Sequence, residues 1–150
     1  MIMTQVKTSA FTIKKNTSEK EFETVQINNS RNCYDYIKQF YGDDIDVWES
    51  FFILLLNRNS KTIGYAKISQ GGITGTVVDV KIIAKYCIDS LSSCCVLAHN
   101  HPSGNTQPSV ADKELTQKVI KALELIDVKV LDHIILTSES YYSFADNGIL

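Results

Sequence analysis

What this chain has little of narrows its class before any motif is read. The longest apolar run, Phe51-Phe52-Ile53-Leu54-Leu55-Leu56, is far too short to cross a membrane, and no charged start leads into an apolar segment as in a secretory signal. Those two absences predict a soluble, cytoplasmic protein with no membrane partner. Neither sign of charge is in excess: 15 basic residues stand against 17 acidic ones, for a net charge of -2. A nuclease would need a positive groove for the phosphate backbone, and the overall balance offers none, although weak DNA contact through a local patch stays open. Four cysteines are present, Cys33, Cys87, Cys94 and Cys95, but no CxxC pair, and adjacent Cys94 and Cys95 face opposite sides of a strand. They read as small core residues in a reducing compartment. No GxGxxG or GxxxxGK occurs, so Gly71-Gly72 reads as a turn or bulge and not as a phosphate cradle.

Proline is the scarcest of the punctuating residues, and its two copies, Pro102 and Pro108, fall in one stretch with two of the three histidines. That stretch runs from His99 through His101 and Ser109 to Asp112. It follows a short apolar run, Cys95 to Ala98, and precedes a helical pattern. His99 and His101, two apart at a strand end, point to one face. Pro102, Gly104 and Pro108 bend and fix the loop. Ser109 suits a helix N-cap with Asp112 three residues on, which places Asp112 in the first turn of a helix beginning beside the loop. Two imidazoles and one carboxylate with an open fourth position are the pattern of a catalytic zinc site. Such a site needs a carboxylate base that is not a ligand, and Glu49, at the entrance of the run 51–56, is the candidate if that strand lies beside the one ending at His99. From the residues alone an ordinary strand-end charge remains the other reading of Glu49. Ser109 likewise has two readings, helix cap or hydroxyl donor to a developing oxyanion. His133 reads as a satisfied core histidine or one that supports the ligands; as a fourth ligand it would close the site.

The rest of the chain predicts an α/β fold, a mixed central sheet with helices packed on it, by its alternation of apolar runs and amphipathic stretches. Ser30 is the expected cap of a helix with Cys33, Tyr34, Ile37 and Phe40 on one side, and Asp79 of a helix with Ile83, Tyr86, Cys87 and Ile88 inward. Leu115, Val119, Leu123 and Ile126 form the stripe of the helix after the motif. Residues 51–56, 62–69, 94–98, 130–136 and 141–144 read as strands, the second antiparallel to the first by its short connection. The aromatics Tyr34, Tyr36, Phe40, Tyr41 and Trp48 have no accompanying basic stripe and read as packing between helix and sheet. Residues 1–29, with short strand signals at 10–13 and 24–27, form an expected arm or hairpin ahead of one domain at 30–150.

The motif resembles a known pattern. A glutamate upstream of His99-Asn100-His101, seven residues, Ser109, two residues and Asp112 is similar to the metal motif of the JAB/MPN (JAMM) metalloprotease superfamily. His99 to Gly104, the step Pro108-Ser109 to Asp112, Leu131-Asp132-His133, Tyr142-Ser143-Phe144 and Gly148-Ile149-Leu150 resemble its bacterial RadC-like branch. The resemblance implies a cytidine-deaminase-like sandwich over about residues 30–150. It also implies a Zn2+ cofactor on His99, His101 and Asp112, a catalytic glutamate at Glu49, an oxyanion serine at Ser109, and a protein or peptide substrate cleaved at a peptide or isopeptide bond. The chain departs from that branch at Lys81, where an arginine is usual, and arginine's fork and lysine's point charge are not equivalent. Longer members carry a helix-hairpin-helix region in the place of the first 30 or so residues. The competing reading is a DNA-associated or protein-interaction module, in a DNA repair or processing context, whose metal site is structural or non-catalytic.

Overall fold

The structure is a computed structural model that describes residues 23–72 and 76–150. The strand signal at 10–13 lies outside those residues. The one at 24–27 gives only an isolated bridge, Gln26 to Lys61.

Among the described residues, five strands form one mixed sheet in the order β2-β1-β3-β4-β5. They are β1 (Ser50–Leu56), β2 (Thr62–Gln70), β3 (Cys94–Asn100), β4 (Lys129–Leu136) and β5 (Tyr141–Ser143). β1 pairs antiparallel with both β2 and β3, β3 pairs parallel with β4, and β4 antiparallel with β5. β1 and β3 are the inner strands that the apolar runs foretell, and every residue of β1 is buried. Alternation divides their side chains between two cores. Phe51, Ile53, Leu55, Cys95 and Leu97 pack against α2 (Val80–Asp89) and α3 (Val110–Glu124). Phe52, Leu54, Leu56, Val96 and Ala98 pack on the opposite face against α1 (Ser30–Lys38). Cys94 and Cys95 fall on opposite faces, and all four cysteines are free thiols. The result is a three-layered α/β domain, as the amphipathic helices require.

The aromatics pack as expected. Tyr34 stacks on Tyr141 and Phe40 on Tyr65, while Tyr41 leans on Phe52. Trp48 is the exception, left substantially exposed. Two details differ from expectation. Asn29, not Ser30, caps α1, its side chain accepting from the Asn32 amide, because an amide oxygen one residue earlier reaches the same orphan donor. On α2 only Ile83 and Cys87, four apart, are buried, whereas Tyr86 and Ile88 turn toward solvent. No helix among the described residues is long and apolar enough to cross a membrane.

Two consequences of this topology position the site. β3, α3 and β4 form a parallel β-α-β unit, so the loop after β3 and the first turn of α3 meet above the strands' carboxyl ends, where α/β sheets place ligands. β1 runs the other way beside β3, with Phe51 opposite His99, so the start of β1 stands next to the end of β3. The adjacency that Glu49 requires is therefore present.

Candidate metal centre

His99 is the buried penultimate residue of β3, and His101 follows Asn100 just past the strand. Because side chains alternate, the two imidazoles share one face and Asn100 takes the other. Asp112 reaches them from the first turn of α3. The three offer ligand atoms within 4.8 Å of one another, and this is a group that can hold a metal ion. His99 Nε2 lies 2.9 Å from His101 Nε2 and 3.2 Å from Asp112 Oδ1, and His101 Nε2 lies 3.6 Å from Asp112 Oδ2. Ligands held about 2.0–2.1 Å from a tetrahedral zinc stand about 3.3 Å apart, and the three observed edges bracket that value. Nitrogen, nitrogen and oxygen donors also suit zinc, so geometry and donor set both fit the ion.

Each of the three candidate ligands is held from behind. The turn after β3 closes with Gly104 at φ +80°, which brings the Asn105 carbonyl to 2.6 Å from His101 Nδ1. A carbonyl only accepts, so His101 carries a proton on Nδ1 and turns Nε2 inward. His99 Nδ1 lies 2.8 Å from His133 Nε2, and His133 Nδ1 lies 2.6 Å from Thr116 Oγ1. His133 is thus a supporting group and outside the ligand set. Ser109 caps α3 in a capping box: its Oγ accepts from the Asp112 amide and donates to Asp112 Oδ2 at 2.7 Å, and its own amide donates to the same oxygen. The cap and the carboxylate contact are both served, and the hydroxyl hydrogen is directed at Asp112.

The electrostatics follow. Burial would raise Asp112, but hydrogen bonds from His101, His99 and Ser109 outweigh it and hold the carboxyl well below the usual carboxylate range. His101 is raised chiefly by its bond to Asp112, against the effect of burial. His133 is pushed well below an ordinary histidine by burial first and by His99 second.

Glu49 faces the same cleft. A space of about 420 Å³ is walled by Glu49, Phe51, Thr76, Val78, His99, His101, Ser109, Ala111, Asp112 and Leu115. All five side chains expected at the site meet there, with Glu49 outside the ligand cluster. Among the described residues, neither Lys81 nor any other lysine or arginine is one of the walls. Two contributors escaped sequence reasoning. Thr116 is a buried polar residue on the apolar stripe of α3, four after Asp112. Asn100 is fully buried; its amide donates to the Ile45 and Trp48 carbonyls, and its oxygen accepts from the Ser50 amide at 2.8 Å. Asn100 therefore ties the backbone on both sides of Glu49 to the strand that carries the ligands, and the Glu49 carbonyl accepts from Gly71 N. The signal for Thr116 was a polar side chain on a buried stripe; for Asn100 it was the alternation that sends it away from the histidines.

The model of the RadC-like JAB domain family matches residues 27–149, nearly the whole described chain. The chain belongs to this family. It is 39% identical over 136 residues to a UPF0758 protein of Flavobacterium johnsoniae, covering 91% of this chain and 58% of that protein. A UPF0758 protein of Porphyromonas gingivalis is 41% identical over 125 residues, 83% of this chain and 54% of its own. The UPF0758 protein YfjY of Escherichia coli is 40% identical over 102 residues, 68% and 64% respectively. This RadC-like chain thus spans less than two thirds of the length of these relatives.

Proposed function

We propose that this RadC-like domain is a zinc-dependent hydrolase that cleaves a peptide or isopeptide bond, with Glu49 as the base. One observation carries the reading: His99, His101 and Asp112 converge at ligand spacing while Glu49, outside that cluster, lines the same cleft. Zinc in such a site lowers the pKa of a coordinated water to near 7 and polarises a carbonyl. His99, His101 and Asp112 would hold the ion. Glu49 takes a proton from the attacking water and gives it to the departing amine. Asn100 keeps the Glu49 backbone in register with the ligand strand. The Ser109 hydroxyl steadies the carbonyl oxygen on which charge develops, after a rotation about Cβ–Oγ frees its hydrogen from Asp112. Phe51, Val78, Ala111 and Leu115 present apolar walls suited to a polypeptide, and the absence of lysine and arginine from the described walls speaks against a phosphodiester or DNA partner in this cleft.

Glu49→Gln tests the reading. Zinc-loaded wild-type protein and the variant are screened against peptides and isopeptide-linked conjugates. The variant should keep its zinc and lose about 10²-fold or more in hydrolysis. Zinc lost from a folded Glu49→Gln protein would make Glu49 a ligand, and equal turnover by both proteins would remove it from the proton path.

A further inference from the structure

We infer that His133 and Thr116 form a proton-directed relay that fixes the tautomer of His99 and thereby presents its Nε2 lone pair to the metal. The inference rests on the zinc reading above for the state of His99 Nε2, while the proton placement on His133 and on His99 Nδ1 follows from hydrogen bonds. It begins at the far end, with Thr116. Thr116 Oγ1 lies 2.6 Å from the Asp112 backbone carbonyl, and a carbonyl has no proton to give. The hydroxyl's one hydrogen is therefore spent on Asp112. At 2.6 Å from His133 Nδ1 the same oxygen can then only accept, so Nδ1 carries the proton of His133.

The next contact inherits that choice. His133 and Thr116 are both fully buried, and the His133 ring is hydrogen-bonded to no carboxylate among the described residues. A second proton on Nε2 would create a buried cation without a bonded counter-charge, which is costly. Nε2 keeps its lone pair and accepts from His99 Nδ1 at 2.8 Å. His99 then donates through Nδ1, which leaves Nε2, 2.9 Å from His101 Nε2 and 3.2 Å from Asp112 Oδ1, as the ring atom that faces a metal held by the cluster. The relay closes on itself: it starts at the backbone of one ligand, Asp112, and ends at the ring of another, His99. Phe51 and Phe144 flank it, Phe51 stacking with the His99 ring and Phe144 with that of His133. His133 and Thr116 are positioning residues, since neither belongs to the ligand cluster.

Thr116→Val and Thr116→Ser test the relay. Valine matches the shape of threonine without the hydroxyl, and serine restores it. Two readouts are taken on each protein: the ring-nitrogen NMR spectrum of His133, metal-free and loaded, and zinc affinity by competition with a chromophoric chelator. In the wild type His133 should carry its proton on Nδ1, and Thr116→Ser should match it. In Thr116→Val the proton should move to Nε2, forcing His99 toward the tautomer that blocks its own Nε2, and zinc affinity should fall about 10–100-fold. A wild-type His133 protonated on Nε2, or doubly protonated, overturns the relay, and this spectrum decides even if Thr116→Val fails to fold. Unchanged zinc affinity in a folded Thr116→Val protein overturns the positioning role. Failure of the zinc reading looks different: the wild type itself would bind no zinc while the His133 spectrum still showed the expected tautomer.

Discussion

His99 and His101 stand two residues apart, on one face, with Nε2 atoms 2.9 Å apart, yet they are held by unrelated means. The His99 side chain is 2% exposed and is oriented by side chains from β4 and α3. The His101 side chain is 17% exposed and is oriented by a carbonyl four residues along its own loop. One histidine is placed by the whole fold, the other by a local turn. A centre built this way has one corner as rigid as the core and another that a loop can tune, with Asp112 coupling them from the start of α3. Substitutions that act on one corner and spare the other measure how far that division goes.

The largest effect is expected from emptying the core corner. His99→Ala removes a ring packed among Phe51 and His133 and leaves the His133 nitrogen without its partner. The metal-free protein should lose about 3–5 kcal/mol of stability. His101→Ala should abolish zinc binding equally while costing the metal-free fold far less. Chemical denaturation of both metal-free variants makes the comparison, and equal losses would erase the distinction between the two ligands. Next in size is Asn100→Ala, which strips the partner from a buried amide, Ser50 N–H, and from two carbonyls. It should cost about 2–3 kcal/mol. Zinc affinity should be nearly kept while hydrolysis falls, because the histidines stay on their strand and the Glu49 segment loosens. If zinc affinity drops as much as turnover, Asn100 supports the ligands rather than the base.

The same division explains what the sequence could reveal. His101, Ser109, Asp112 and the turn between them are local, and turn chemistry and capping rules name them from spacing alone. Glu49 was legible only on the condition that β1 lies beside β3, and the antiparallel register of Phe51 with His99 meets that condition. The strands were legible from their apolar runs because β1 and β3 are covered on both faces. The inward side of α2 was less so, since Tyr86 and Ile88 are as apolar as the residues that are buried, and only packing selects Ile83 and Cys87. The link from His99 through His133 to Thr116 spans three elements. No spacing rule joins residues 34 and 17 positions apart, so that part of the centre waits for tertiary structure.

Ser109→Ala acts where the two corners meet. It removes both the acceptor for the Asp112 amide and a donor to the Asp112 carboxylate. A stability loss of about 1–2 kcal/mol is expected, read as a lower midpoint in denaturant. Zinc should stay bound, because the Ser109 backbone amide still donates to Asp112 Oδ2. Turnover corrected for folded protein should fall as well if the hydroxyl serves the oxyanion, and an unchanged corrected rate would confine Ser109 to capping.

The smallest effect should come from Gly104→Ala, and it isolates the loop corner. Gly104 sits at φ +80°, where a side chain is strained, but a methyl group there would meet nothing within 4 Å. The cost is conformational alone, about 1 kcal/mol, and it falls on the turn. Relief of that strain moves the turn away from the left-handed conformation, which draws the Asn105 carbonyl off His101 Nδ1. His101 then loses its orienting partner while His99, held through His133, does not. Ring-nitrogen NMR of the metal-free variant should show an altered His101 environment beside unchanged His99 and His133, with only a modest weakening of zinc affinity. A shift at His99 as large as that at His101 would mean that the loop and the core corner move together, and that the two histidines are one rigid unit despite their separate supports.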